Sequence, residues 1–364
     1  MSWLKLISRL IVGGLFIFSG LIKVNDPVGT AIKLEEYFAV FSSNFGSFFG
    51  WFEPYALYIG VFLVVLEVVL GVAVLINYKM PLTAWLLLGL IVFFSILTFY
   101  SAYTGEVTDC GCFGDAIKLT PWESFTKDII LLVFIAVLFV YRHSFKSLLS
   151  KKSGNIVIGV VTLVGLALSV YAIANLPFID FRAYKQGADI PRSMQPSAPL
   201  RYQYIMEKGG ETFKFENYPT DTTYVYKEVE LLNPEDQPKI TDYSIWDAEG
   251  DVTEQSFDGV QLIVVVHYVE KANHQVFETI NALINGVENR MGVMVLTASD
   301  DASFEAFRHE VQLPAPYYFA DATVLKTMVR SNPGVLLLKD GVVMGKWHYR
   351  NTPSAGEVLQ LVAH

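Results

Sequence analysis

Residues 55–76 read YALYIGVFLVVLEVVLGVAVLI. A helix needs about 20 mostly apolar residues to cross a bilayer. This stretch supplies them with one charge, Glu67. A chain holding such a segment is built around lipid, and four further segments share its character or approach it. The first runs from Leu4 to Ile22, the third from Leu82 to Tyr103, and the fifth, Asn155 to Asn175, carries no charge. The fourth, Ile129 to Tyr141, is short, and Trp122 to Thr126 extend it toward span length. Trp3, Trp51, Trp85 and Trp122 fall near the predicted span ends, where amphipathic rings prefer to sit. No small-residue cleavage site follows the first apolar stretch, so it is expected to stay as a span.

The mean hydropathy of +0.39 hides an asymmetry. Residues 1–176 are apolar runs, whereas residues 177–364 have the regular charge of a water-exposed domain and supply most of the formal charge of -9. No long basic run points to nucleic acid. Lys5, Arg9, Lys79, Arg142, Lys146, Lys151 and Lys152 fall on one side of the expected membrane, and Lys23, Lys33, Lys118 and Lys127 on the other. The positive-inside bias makes the first side cytoplasmic. The last 188 or so residues and the Cys110–Cys112 loop are then outside, in the periplasm if there are two membranes. The expected location is a multi-pass inner-membrane protein with a periplasmic C-terminal domain.

Beyond Pro177, residues 182–200 read as linker, and Arg201 to Val229 alternate as a small β element. From Ile240 the pattern predicts strands at Asp242–Trp246, Leu262–Tyr268, Gly292–Thr297 and Pro316–Phe319. Helices are predicted at Gln275–Val287, Ser303–Glu310 and Thr323–Arg330. A hairpin, Val335–Lys339 with Val342–Trp347, turns at Asp340-Gly341, and a terminal helix follows over Pro353–Val362. The expected fold class is therefore a membrane all-α bundle followed by an α/β domain. The expected parts are 1–145, a four-helix membrane domain; 146–176, a basic loop and fifth span; 177–239, linker and small β element; and 240–364, the α/β domain.

Two resemblances follow from particular residues. The order over 240–364, with Ser331-Asn332-Pro333-Gly334 before the hairpin and Trp347 after it, resembles the thioredoxin fold in its TlpA and peroxiredoxin-like form. That resemblance implies a cis peptide at Asn332–Pro333. It also implies Cys-x-x-Cys after the strand at Leu262–Tyr268, where this chain instead reads Val269-Glu270-Lys271-Ala272-Asn273-His274. With no thiol, this domain does no dithiol exchange by itself. The membrane half resembles the DoxX and MauE family. The matching features are Arg9 with Gly13-Gly14, Ser19-Gly20-x-x-Lys23, Asp26-Pro27, Glu67 with Gly71, and Asp109-Cys110-Gly111-Cys112-Phe113-Gly114. This resemblance implies a link to periplasmic electron or disulfide traffic beside thioredoxin-like partners.

Cys110 and Cys112 are the chain's two cysteines. A disulfide across one residue closes a tight ring, Gly111 removes a side-chain obstacle, and strained disulfides are labile. The pair therefore reads as catalytic. Open beside that are an inert local disulfide and a metal half-site, the last weakened because Cys-x-Cys gives two soft ligands with no histidine nearby. Asp109 and Asp115 disfavour a thiolate, and Lys118 is the cation in reach by sequence. Cys112→Ser is expected to trap a mixed disulfide through Cys110, with the converse variant as control.

Glu67 lies in mid-span, where a carboxylate is costly. It reads as a proton or quinone site with Arg9 and Lys23 as candidate partners, or as an interhelical hydrogen bond. Lys23 is expected to snorkel to the outer surface instead. No cofactor is required by the sequence, and quinone is the candidate. His267, Glu270 and His274 flank the missing thiol position and read as ordinary strand-end or surface residues, so no metal is assigned. Two functions stay open. One is thiol–disulfide or electron transfer with a periplasmic or membrane partner protein. The other is a non-catalytic assembly factor whose thioredoxin-like domain binds partners.

Overall fold

The computed structural model describes residues 3–107 and 111–363. The chain divides into two compact units, Met1–Arg182 and Ala183–His364. The first holds helices α1 (Trp3–Asn25), α2 (Pro27–Asn44), a 3-10 segment (Ser47–Tyr55), α3 (Ala56–Leu75), α4 (Met80–Thr104), α5 (Pro121–Val140) and α6 (Lys151–Ala174). Among the described residues, α1, the continuous stretch Ser47–Leu75, α4 and α6 are long and apolar enough to cross a membrane. The expected fourth span is the helix α5. Glu123, Lys127 and Asp128 sit in its first turns, so its charge-free length falls short of the other four.

Backbone contact between α1 and α3 centres the bundle. A Cβ on Gly71 would stand 2.9 Å from both Gly13 O and Ile17 N, and one on Gly20 would stand 3.0 Å from Val68 N. Small residues let two helices approach where lipid supplies no hydrophobic drive. Val12, Leu70, Val74, Leu87, Ile135 and Leu138 pack around that seam. Asp26-Pro27, one of the family-matching features, is the start of α2. Asp26 accepts from Gly29 N at 2.9 Å, and Pro27 takes the first helical position, where its missing N–H costs nothing.

The second unit begins with the short helix α7 (Ile190–Ser193). A three-stranded antiparallel sheet follows, of β1 (Tyr202–Lys208), β2 (Glu211–Phe215) and β3 (Val225–Leu231) in the order β2-β1-β3. The larger sheet is built from β4 (Ile245–Trp246), β5 (Val260–Val266), β6 (Gly292–Thr297), β7 (Tyr317–Ala320), β8 (Gly334–Lys339) and β9 (Val342–His348). Its order is β4-β7-β6-β5-β8-β9. β5, β6 and β7 run parallel, while β8 is antiparallel to β5 and β9 to β8. Helices α8 (Phe277–Val287), α9 (Asp301–Glu310), α10 (Ala322–Met328) and α11 (Ala355–Val362) complete the unit. Leu262 to Val266 are wholly buried, as the unbroken β-branched run predicts for a central strand. The Asn332–Pro333 peptide is cis. This arrangement is consistent with the thioredoxin-like fold expected for 240–364.

Two expectations are corrected. The strand expected at Asp242–Trp246 shortens to Ile245–Trp246. Tyr243 turns inward, bonds Ser256 at 3.0 Å and stacks on Phe257, which takes its neighbours off the sheet edge. The stretch read as linker is in part an ordered strap. Gly187 N donates to Val343 O at 2.8 Å, Val343 N to Ala188 O at 2.9 Å, and Ile190 N to Gly341 O at 3.1 Å.

Candidate functional site

In the first unit a cleft is walled by Leu15, Phe16, Leu63, Ile91, Phe94 and Leu131. Its polar end gathers residues from five elements. Ser19 and Lys23, four apart on α1, share one face. Glu67 comes from α3, Thr98 from α4, Lys127 and Asp128 from α5, and Cys112 from the turn between α4 and α5. That turn is possible because Gly111 and Gly114 take left-handed φ angles of +62° and +50°, which cost a glycine little. Gly114 N closes it onto Gly111 O at 3.0 Å.

Lys23 forms an ion pair with Glu67, and both side chains are buried, at 8% and 4% exposure. The expectation that Lys23 snorkels outward is therefore overturned. A mid-span carboxylate is costly unless paired, and the close approach of α1 and α3 brings the ammonium within reach. Ser19 Oγ lies 3.1 Å from Glu67 Oε2 and 2.9 Å from the carbonyl of Cys112, so one hydroxyl links the ion pair to the cysteine turn. The Lys23 ammonium also lies 5.2 Å from the Phe94 ring centre. Arg9 is not part of this cluster. Its Nη1 donates to Asn77 Oδ1 at 3.4 Å.

A second ionic group stands beside the first. Lys127 Nζ is 2.9 Å from Asp128 Oδ1, and Thr98 Oγ1 donates to Asp128 Oδ2 at 3.0 Å. The Lys127 ammonium lines the same polar end of the cleft as Cys112 and interacts with it electrostatically. The sequence reading offered Lys118 as the cation near the thiols, but Lys118 is exposed and Lys127 holds the position. The available signal was the charged pair Lys127-Asp128 opening an otherwise apolar helix. Cys110, and Asp109 beside it, lie outside the described residues.

The family model for Methylamine utilisation protein MauE matches residues 1–141. Residues 1–141 are a MauE-family domain. The MauE domain thus contains the whole cleft, and the chain is a multi-pass membrane protein. The chain is also similar to Protein TlpB of Flavobacterium psychrophilum. They are 29% identical over 186 residues, which is 50% of this chain and 47% of that one. The chain therefore spans about half the length of this curated relative. No solved structure matches it significantly.

In the second unit the position of a thioredoxin thiol pair is filled by other contacts. Asn332, before the cis proline, accepts from His267 N at 3.0 Å and donates to Tyr268 O at 2.9 Å, while its own carbonyl accepts from Asn273 N at 3.1 Å. His267 is buried, with Nε2 at 3.1 Å from both Leu325 O and Val329 O. Two carbonyl acceptors require Nε2 to carry the proton. The expectation of an ordinary strand-end residue is sharpened here to a buried one. His274 instead pairs at the surface with Glu310 at 2.9 Å, and Glu270 is exposed.

Burial, with Lys326 and Arg330 nearby, pushes His267 down to about 3. The unfolded chain binds this proton near 6.5, so stability is complete above 6.5 and falls progressively as pH drops toward 3. The protection factors of β5 and β8 amides in the full chain, the intrinsic exchange rate at each pH divided by the measured one, are expected to fall over that window. His267→Asn is expected to flatten the dependence, and an unchanged slope in that variant would assign it to other groups.

Proposed function

We propose that this chain is a membrane redox-associated protein that exchanges a disulfide with a partner protein through Cys110 and Cys112. The exchange takes place on the outer side of an inner membrane, with the second unit also outside. The observation that carries the reading is the Lys127 ammonium beside Cys112 at the polar end of the cleft. A thiolate is the reactive form, and an adjacent cation favours it. With the chain reduced, the Cys112 thiolate attacks a partner disulfide and forms a mixed disulfide as one partner sulfur leaves as thiolate. Cys110 then gives up its proton and attacks Cys112. The S–S bond to the partner breaks, the partner departs as a dithiol with two electrons and the proton from Cys110, and its second proton comes from water. The chain is left with Cys110–Cys112 oxidised.

This order reverses the attack order taken from sequence. Cys110→Ser is expected to accumulate a mixed disulfide through Cys112, because the resolving thiol is gone. Cys112→Ser is expected to trap less. The trapped species is read on non-reducing gels after acid quenching. If neither variant traps a partner, and the double Cys→Ser variant keeps full activity in the cell, the exchange reading fails. The assembly-factor reading then takes its place, with the thiol-free domain as a docking module.

A quinone is the membrane-soluble carrier that fits beside this reaction. Phe16, Leu63, Ile91 and Phe94 would flank its ring, with Lys23 and Ser19 at its oxygen. Its two-electron, two-proton acceptor chemistry would serve the exchange run in reverse. In that direction a partner dithiol reduces Cys110–Cys112 and leaves as a disulfide, and the Cys110–Cys112 dithiol then passes its two electrons and two protons on. Arg9 takes no part in this version of the site, since it is bonded to Asn77.

A further inference from the structure

The end of the membrane domain away from Cys112 has a charge pattern that the redox reading does not use. Lys5 and Arg9 on α1, Lys79 before α4, Arg142 and Lys146 after α5, and Lys151 and Lys152 on α6 bring seven cations there. No aspartate or glutamate lies within 1–12, 76–82 or 141–155. Hydrogen bonds bind these pieces into one surface. Lys5 Nζ donates to Ser144 Oγ at 2.9 Å, Leu148 N to Ile76 O at 3.1 Å, and Tyr78 OH to Asn155 Oδ1 at 2.6 Å.

Asn77 is the hub. It is buried, with a left-handed φ of +54°. Its amide accepts from Arg9 and donates to Lys146 O at 3.0 Å. Arg9 is thus held by one Nη, and its buried Nε meets no hydrogen-bond partner among the described residues. A buried guanidinium nitrogen left unsatisfied calls for an acceptor, and the planar fork suits a phosphate.

The next loop adds the apolar half of the pattern. Between Lys146 and Lys151 it exposes Leu148 (60%) and Leu149 (36%). Trp3 and Trp85 are exposed at the same end. Alternating basic and apolar side chains, bordered by aromatic rings, suit a headgroup layer better than water, nucleic acid or an acidic protein.

We propose that this end of the membrane domain binds the phosphate of an acidic phospholipid. Arg9 is presented to it by Asn77, and Lys146, Lys151 and Lys152 close over it. The site stands on its own observations and is independent of the cysteine chemistry.

The test is native mass spectrometry of the purified full chain in mixed micelles of phosphatidylglycerol and phosphatidylcholine. Phosphatidylglycerol is expected to be retained preferentially. A cation near an anionic surface contributes about fivefold. The triple variant Lys146→Gln, Lys151→Gln, Lys152→Gln is therefore expected to lower retention by roughly tenfold or more. These three side chains are exposed, so the variant keeps its fold. Arg9→Lys, which keeps the charge and loses the fork, is expected to fall between wild type and Arg9→Gln. Equal retention of the two lipids, or an unchanged preference in the triple variant, overturns the proposal. Displacement of the lipid by inorganic phosphate at equal ionic strength also overturns it, because the site would then be one for a free anion.

Discussion

Lys23→Met is expected to destabilise the membrane domain by about 3–5 kcal/mol, the typical cost of leaving one member of a buried ion pair without the other. Lys23 and Glu67 are both almost fully enclosed, so little water is available to screen the remaining charge. Adding Glu67→Gln is expected to restore most of the loss. The amide keeps an oxygen for Ser19 and leaves no buried charge. Unfolding of the full chain in detergent, measured for wild type, both single variants and the double variant, gives the coupling directly. A double variant as unstable as the sum of the singles would mean that the two groups do not pair in the protein.

Lys127→Met is expected to slow alkylation of Cys112 at neutral pH by at least about tenfold, because an adjacent opposite charge typically favours the ionised form by a factor of that size or more. The measurement belongs in a Cys110→Ser background, where Cys112 is the one thiol that reacts. Lys118→Met serves as the matched control, since it removes an exposed lysine from the same stretch of sequence. Equal slowing in both variants would reduce the effect to the general field of the loop. An unaltered rate in Lys127→Met would remove the cation from the reading of this site.

The architecture was legible where the signal is long and repetitive. The apolar runs give the long helices, and the β-branched run Leu262–Val266 gives the central strand. The cis peptide at Asn332–Pro333 was expected from resemblance rather than from any local preference. The helix α2 was missed because Pro27–Asn44 is neither strongly apolar nor strongly two-faced. Its start signal, Asp26-Pro27, stood in the sequence only as a family-matching feature. The site was half legible. Glu67 stands out in an apolar run, and Cys110 and Cys112 stand out as a pair. Their neighbours do not, because Ser19, Thr98 and Lys127 come from three helices separated by tens of residues. Lys23 was misplaced for a related reason. Whether a lysine near a helix end reaches outward or across depends on how closely the next helix approaches, and glycines at 13, 20 and 71 set that distance.

The strap over residues 187–190 also governs how the second unit meets other proteins. A terminal strand such as β9 would otherwise offer its free N–H and C=O groups to any extended chain, the usual route to sheet-to-sheet aggregation. Here the polypeptide's own preceding segment occupies those groups at Val343 and Gly341. Strand addition at the Gly341–Val343 end of β9 is thereby closed to strangers, and the register shift at Met344 with Lys346 beyond it guards the rest of that border.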